Sequence, residues 1–160
     1  MYACLFQFPS TQMNIINSEV ISAELDVFWN GQNENVKTLS SVSVLVITST
    51  ISTESQRGLL HKMIAACGVV AGQFAIIEVN PDTPVAWYQM RVLSQPRVVL
   101  LFGVPLPSLG ISALFKACEP NRFDNCIWIP APALQVLEQD AELRKQLWQQ
   151  GMKVVFADML

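Results

Sequence analysis

One histidine, four cysteines and thirteen carboxylates are the groups of this 160-residue chain that could move a proton, attack an electrophile or hold a metal. His61 falls inside a helical pattern beside its apolar stripe. No serine, cysteine or acid is evidently placed to make a relay with it, so it reads as a partly exposed helix histidine rather than a general base. Cys4, Cys67, Cys118 and Cys126 form no C-x-x-C pair. With a single histidine, a zinc site is not expected, and free buried thiols in a reducing cytoplasm are the simpler reading. Glu78 and Asp82 flank Val79-Asn80-Pro81 and would suit acid–base work or magnesium. Glu78, however, reads as part of a strand, and Asp82 precedes a helix start, where a carboxylate is favoured electrostatically.

The elements that would have to position such groups form an alternation. Ser43–Thr48 is a continuous apolar run, as expected of a central parallel strand. Thr53 and Gln56 make a capping box for a helix whose stripe is Leu59, Leu60, Met63, Ile64 and Cys67, stopped by Gly68. Phe74–Val79 is the second strand. Thr83 as N-cap and Pro84 at the first helical position open a helix to about Leu93, presenting Val85, Trp87 and Met90. Arg97–Phe102 is the third strand. A helix is expected over Ser108–Cys118 from Leu109, Ile111, Leu114 and Phe115. Cys126–Ile129 is the fourth strand, and a last helix starts near Asp140 with Leu143, Leu147 and Trp148. Lys153–Phe156 reads as an edge strand.

Repeated βα units with short connections predict an α/β domain of three layers, α/β/α, around a mostly parallel sheet of four or five strands. Ligands of such sheets bind beyond the carboxyl ends of the strands. Four loops lie there. Thr48-Ser49-Thr50-Ile51-Ser52 has no glycine and no lysine, which excludes a Walker loop and a dinucleotide fingerprint. Glu78–Asp82 is the second. Gly103-Val104-Pro105-Leu106-Pro107 and Pro130-Ala131-Pro132-Ala133-Leu134 carry no titratable side chain. Neither catalysis nor a bound cofactor or metal is expected from this rim.

Residues 1–40 differ from residues 41–160. They are rich in Asn, Ser, Gln and Glu, with a strand-like alternation over Val20–Trp29, a turn signal at Asn30-Gly31 and Val36–Leu39 as a returning strand. The chain as a whole is 51% hydrophobic and only 14% charged. That balance fits either a core covering both sheet faces or an extra apolar patch for a partner. No stretch reaches the length of a membrane helix, and the start has no basic n-region or cleavage site. The net charge of −3 with no run of Lys or Arg disfavours direct nucleic-acid binding as the main task.

Two stretches near the C-terminus carry a resemblance. Pro130-Ala-Pro-Ala-Leu134 followed by Ala141-Glu-Leu-Arg-Lys-Gln-Leu-Trp148-Gln-Gln150 resembles the uracil-DNA glycosylase superfamily, in which the fourth strand leads to a His-Pro-Ser-x-Leu-like motif and then to a helix with a basic residue and Trp. Here Ala131 and Ala133 stand at the histidine and serine positions. Thr48–Ser52 replaces the acidic, glycine-rich water-activating loop. The psi-subunit family of the bacterial DNA polymerase III holoenzyme is more similar still. It carries S-P-A-L-x-x-L and then A-L-W-Q-Q, against Ala131-Pro132-Ala133-Leu134-Gln-Val-Leu137 and Gln146-Leu147-Trp148-Gln149-Gln150 here. Leu5 to Ile15 lies on that family's L-x-x-L-G-I-T-Q-W-x-L segment, with Pro9-Ser10 at Gly-Ile and Met13 at Trp.

This resemblance implies a uracil-DNA glycosylase-like fold without the activity. It further implies an adaptor that binds the chi subunit through its globular domain and the clamp-loader collar through an N-terminal peptide. Leu5, Phe6, Phe8, Met13 and Ile15 are the expected docking residues. An ordinary first strand over the domain's own core is the other reading of that segment. A scaffold for an unrelated partner is the alternative function. A diverged nucleic-acid enzyme is the third, and would be favoured by a concave basic groove lined by Arg91, Arg97 and Arg122.

Overall fold

The computed structural model describes residues 36, 38–80 and 85–157. Among them are five strands, β1 (Val44–Ser49), β2 (Phe74–Val79), β3 (Val98–Phe102), β4 (Asn121–Phe123) and β5 (Cys126–Ala131), ordered β2-β1-β3-β5-β4 in one sheet. Four of these are parallel. The remaining one, β4, runs antiparallel as the edge beside β5. The chain steps outward from β1 to β2 and then back across β1 to β3, which puts the reversal of winding between β1 and β3.

Alternate side chains of each central strand enter two separate cores. Val44, Val46, Val98, Leu100, Phe102 and Ile129 meet Leu60 and Ile64 of helix α1 (Glu54–Ala66), and Leu147, Met152 and Phe156 nearer the C-terminus. Leu45, Ile47, Ile77, Val99, Leu101 and Trp128 meet Trp87 and Met90 of helix α2 (Trp87–Ser94), with Leu109 and Ile111 beside them. A strand with both faces covered needs no polar alternation, which is why β1 and β3 read as unbroken apolar runs.

Local chemistry sets the helix ends. Thr53 accepts from the Gln56 N–H at 3.2 Å, while the Gln56 side chain reaches one residue beyond the expected box partner, to the Ser52 N–H at 3.1 Å. Helix α2 begins at Trp87 with Ala86 as an uncapped start. Thr83 and Pro84, the expected start signal, lie outside the described residues.

Several expectations are corrected. Ser108–Cys118 is not a helix. A short 3₁₀ turn forms instead, Leu106–Leu109, and Gly110 ends it in the left-handed conformation with its N–H on the Pro107 carbonyl. The spacing of Leu109, Ile111 and Phe115 serves an irregular strap over the α2-side core, with Leu114 fully exposed. Lys153–Phe156 is helical. Helix α3 (Leu134–Gln139) precedes helix α4 (Ala141–Gln146), which continues through a π-helical stretch, Leu147–Met152, into helix α5 (Lys153–Phe156). The edge position expected for Lys153–Phe156 is taken by β4. That strand turns back into β5 through Asp124 and Asn125, both left-handed (φ 53° and 61°), the backbone that a tight hairpin requires. Residue 36 and residues 38–39 form no strand, and the Leu39 N–H closes a turn on the Val36 carbonyl.

Candidate functional site

The carboxyl rim of the sheet is the place where chemistry is expected, and two of its polar side chains, Thr48 and Glu78, are engaged by their neighbours. Thr48 is fully buried at the end of β1, and its hydroxyl donates to the Ser49 carbonyl at 3.0 Å. At the end of β2, one Glu78 oxygen accepts from the Ile51 N–H at 3.2 Å and the other pairs with Arg57 at 3.3 Å. This carboxylate therefore clamps the first rim loop onto α1, and its salt bridge is a surface one. Asp82 lies outside the described residues.

Between β3 and β5 the rim is shut by backbone. Gly103 has φ +66°, and a Cβ there would stand 2.6 Å from the Ala133 Cβ and 2.7 Å from its Cα. The Gly103 N–H bonds the Ala131 carbonyl at 3.0 Å. Ala133, in the stretch that follows β5, thus packs directly onto the end of the neighbouring strand. The related helical stretch, Gln146–Gln150, enters the π-helical turn, where Gly151 lies so close that a Cβ would be 2.8 Å from the Cys118 carbonyl and 2.9 Å from the Ile129 Cγ2. Gly151 lets the C-terminal helices sit tightly on β5, and Gly103 lets Ala133 sit on the end of β3.

The remaining sequence candidates do not converge. His61 is exposed on α1 with its ring edge-on to Phe74, centroids 6.4 Å apart. Cys67, Cys118 and Cys126 are buried free thiols. Burial pushes Cys67 up to about 12, and raises Cys118 as well. Cys126 is raised by burial and by Asp124, against a smaller opposing effect of Arg91. Thiols held protonated are poor nucleophiles. No group of three His, Cys, Asp or Glu among the described residues could hold a metal ion. Leu5, Phe6, Phe8, Met13 and Ile15 lie outside the described residues. No helix among the described residues is long and apolar enough to cross a membrane.

Two surface features are not legible in the sequence. At the amino ends of β3 and β5 lies an open depression of about 790 Å³ lined by Arg97, Arg122, Asp124, Ile127 and Val154. Arg91 lines an adjoining hollow that shares Asp124, Asn125 and Cys126 with the first, and it is held by Asp124 at 2.9 Å. Between α1 and α4, Met63, Ala66, Trp148 and Met152 line a shallow apolar hollow edged by Lys62, Arg144 and Lys145. Both depend on residues from distant parts of the chain. No family model, no curated protein and no solved structure matches this chain.

Proposed function

We propose that this chain is a non-catalytic adaptor, a psi-like subunit that bridges the chi subunit to the collar of the bacterial clamp-loader complex on a uracil-DNA glycosylase-like fold. The observation that carries the reading is the closure of the rim between β3 and β5 by Gly103 and Ala133. The peptide that resembles a catalytic motif is used there as packing, and a flipped base would have to displace backbone to enter. Support for the partner comes from the motif at Ala131–Leu137 and Gln146–Gln150, and for the fold from four parallel strands with helices on both faces.

The test is direct binding of the purified full chain to purified chi, with recovery of clamp-loader subunits from the native host at native expression. A stable one-to-one pair with chi is expected. Absence of the pair together with recovery of an unrelated partner would establish the scaffold reading instead.

Arg97 and Arg122 on one depression favour, as a second reading, contact with nucleic acid at the opposite end of the sheet. Salt-dependent oligonucleotide binding lost in Arg97→Ala and Arg122→Ala would support it. Glycosylase activity on uracil-containing DNA would overturn the adaptor reading altogether.

A further inference from the structure

The C-terminal helix leaves the regular α pattern where it meets the sheet. Through Leu147–Met152 it winds as a π helix, and the Lys153 N–H reaches back to the Trp148 carbonyl. Gly151 seats this wider turn, since a Cβ there would stand 2.8 Å from the Cys118 carbonyl. Single π turns inside helices are frequent at functional sites.

Trp148 and Met152 of that turn pack on the α1-side core, Met152 1% exposed and Trp148 half-buried. Met63 and Ala66, about one turn apart on α1, stand across from them. The four line a hollow of about 340 Å³. Its rim is Lys62 on α1 with Arg144 and Lys145 on α4, and no acid lines it among the described residues. Three of the chain's ten Lys and Arg therefore border one apolar floor, in a chain whose net charge is −3.

The three cations are held differently. The Arg144 guanidinium donates to the carbonyls of Leu137 and Glu138, which ties α3 to α4 and fixes that charge beside the floor. Lys62 and Lys145 are exposed. Lys145 also borders a polar hollow with Asp140 and Glu142, and Asp140 there caps the Leu143 N–H.

The chemistry of this lining selects its occupant. Methionine adapts to varied apolar shapes, and tryptophan is a frequent energetic anchor of interfaces. Ligand pockets run from about 300 to 1,000 Å³, so a hollow of this size has room for one large side chain and not for the whole face of a helix. The basic rim favours carboxylates on either side of that side chain. A bilayer is entered by protruding apolar side chains, whereas Met63, Trp148 and Met152 are half-buried or deeper. Single-stranded nucleic acid stacks successive bases on several aromatic rings, and Trp148 is the one aromatic lining the hollow among the described residues.

We propose that the hollow between α1 and α4 binds an acidic segment of a partner protein, with one large apolar side chain on Met63, Trp148 and Met152 and flanking carboxylates on Lys62 and Lys145. The site is separate from the rim of the sheet and from the depression lined by Arg97 and Arg122. The inference does not rest on the partner being chi or a clamp-loader subunit.

Fluorescence anisotropy with short fluorescein-labelled peptides tests it on the full chain. The probes carry a central Leu, Phe or Trp between Asp and Glu residues. Control peptides have Ser at the centre, or Lys in place of the acids. One or more of the probes is expected to bind saturably and about tenfold or more tighter than both controls. Lys62→Glu with Lys145→Glu alters only exposed side chains and is expected to weaken that binding about tenfold or more with the urea midpoint unchanged. Trp148→Ala is expected to weaken it by a similar factor, and the lysine pair decides the matter if that variant loses its fold. Arg97→Ala with Arg122→Ala is expected to leave it unaltered. No saturable binding by any probe would overturn the proposal, and a hollow filled by another part of this chain gives that result. So would equal binding in the native chain and the lysine variant, or self-association of the native chain that the lysine variant abolishes. Oligothymidylate or phosphatidylserine vesicles bound more tightly than the peptides, and released by the same lysine changes, would overturn it in favour of those ligands.

Discussion

Gly103 shows how much a single position decides. Its φ of +66° is one that side chains rarely adopt, and the space a Cβ would need is already held by Ala133. A left-handed backbone costs a non-glycine residue about 1–2 kcal/mol, and overpacking adds about 1–3 kcal/mol. Gly72 separates the two effects, because it has φ +88° with nothing within 4 Å of the place a Cβ would take. Gly72→Ala is expected to lose about 1–2 kcal/mol in urea unfolding, and Gly103→Ala roughly twice that. Equal losses would refute the close approach of β3 to residue 133. That loops after β3 and β5 lack reactive side chains is plain from Gly103–Pro107 and Pro130–Leu134. Their contact with each other is not, because it joins segments distant in sequence. The fate of Glu78 is hidden for the same reason, since its partners Arg57 and Ile51 come from another βα unit.

At the scale of elements, the β4–β5 hairpin is tied to α2 through one carboxylate. Asp124 accepts from the Trp87 Nε1 at 2.8 Å and pairs with Arg91 at 2.9 Å, and Trp87 packs edge-on to Trp128 with centroids 4.5 Å apart. Asp124→Ala leaves a part-buried indole N–H without its acceptor and unpairs Arg91, at a cost of about 1–3 kcal/mol. Asp124→Asn tolerates the left-handed backbone and keeps an acceptor, and is expected to lose about half as much. Urea unfolding followed by tryptophan fluorescence measures both; an unaltered midpoint in Asp124→Ala would show that the hairpin is held by the aromatic cluster alone. This hairpin is not legible in the sequence because β4 is three residues long and its turn is Asp-Asn rather than a glycine pair. Long elements are legible: β1 and β3 by their apolar runs, α1 by its cap and stripe. Helical spacing misleads over Ser108–Cys118, where Gly110 in the left-handed conformation ends the 3₁₀ turn and redirects the chain, so the core is met by a strap. Lys153–Phe156 is too short for periodicity to separate strand from the end of a helix.

At the scale of the whole molecule, the fold hides the three thiols of the described residues, and this couples its stability to alkaline pH. Cys67 lies in the α1-side core, 2% exposed, and its proton is held up to about 12 against an ordinary value of 9.0. Cys118 and Cys126 shift the same way, chiefly through burial. A thiol that keeps its proton more tightly when folded contributes its full share of stability below pH 9. Above that the unfolded chain sheds the proton and the folded one does not, so stability falls with rising pH. The slope is at most about 1.4 kcal/mol per pH unit for each such thiol. Lysines and tyrosines titrate in the same range, so a drop in the native chain alone is not diagnostic. The difference from Cys67→Ala is: that variant starts less stable because of the cavity it creates, yet should lose less on going from about pH 8 to about pH 10.5. Parallel declines of the two urea midpoints over that interval would mean that the Cys67 thiolate is accommodated in the folded core, against the packing of Leu60, Ile64 and Val44 around that side of the sheet.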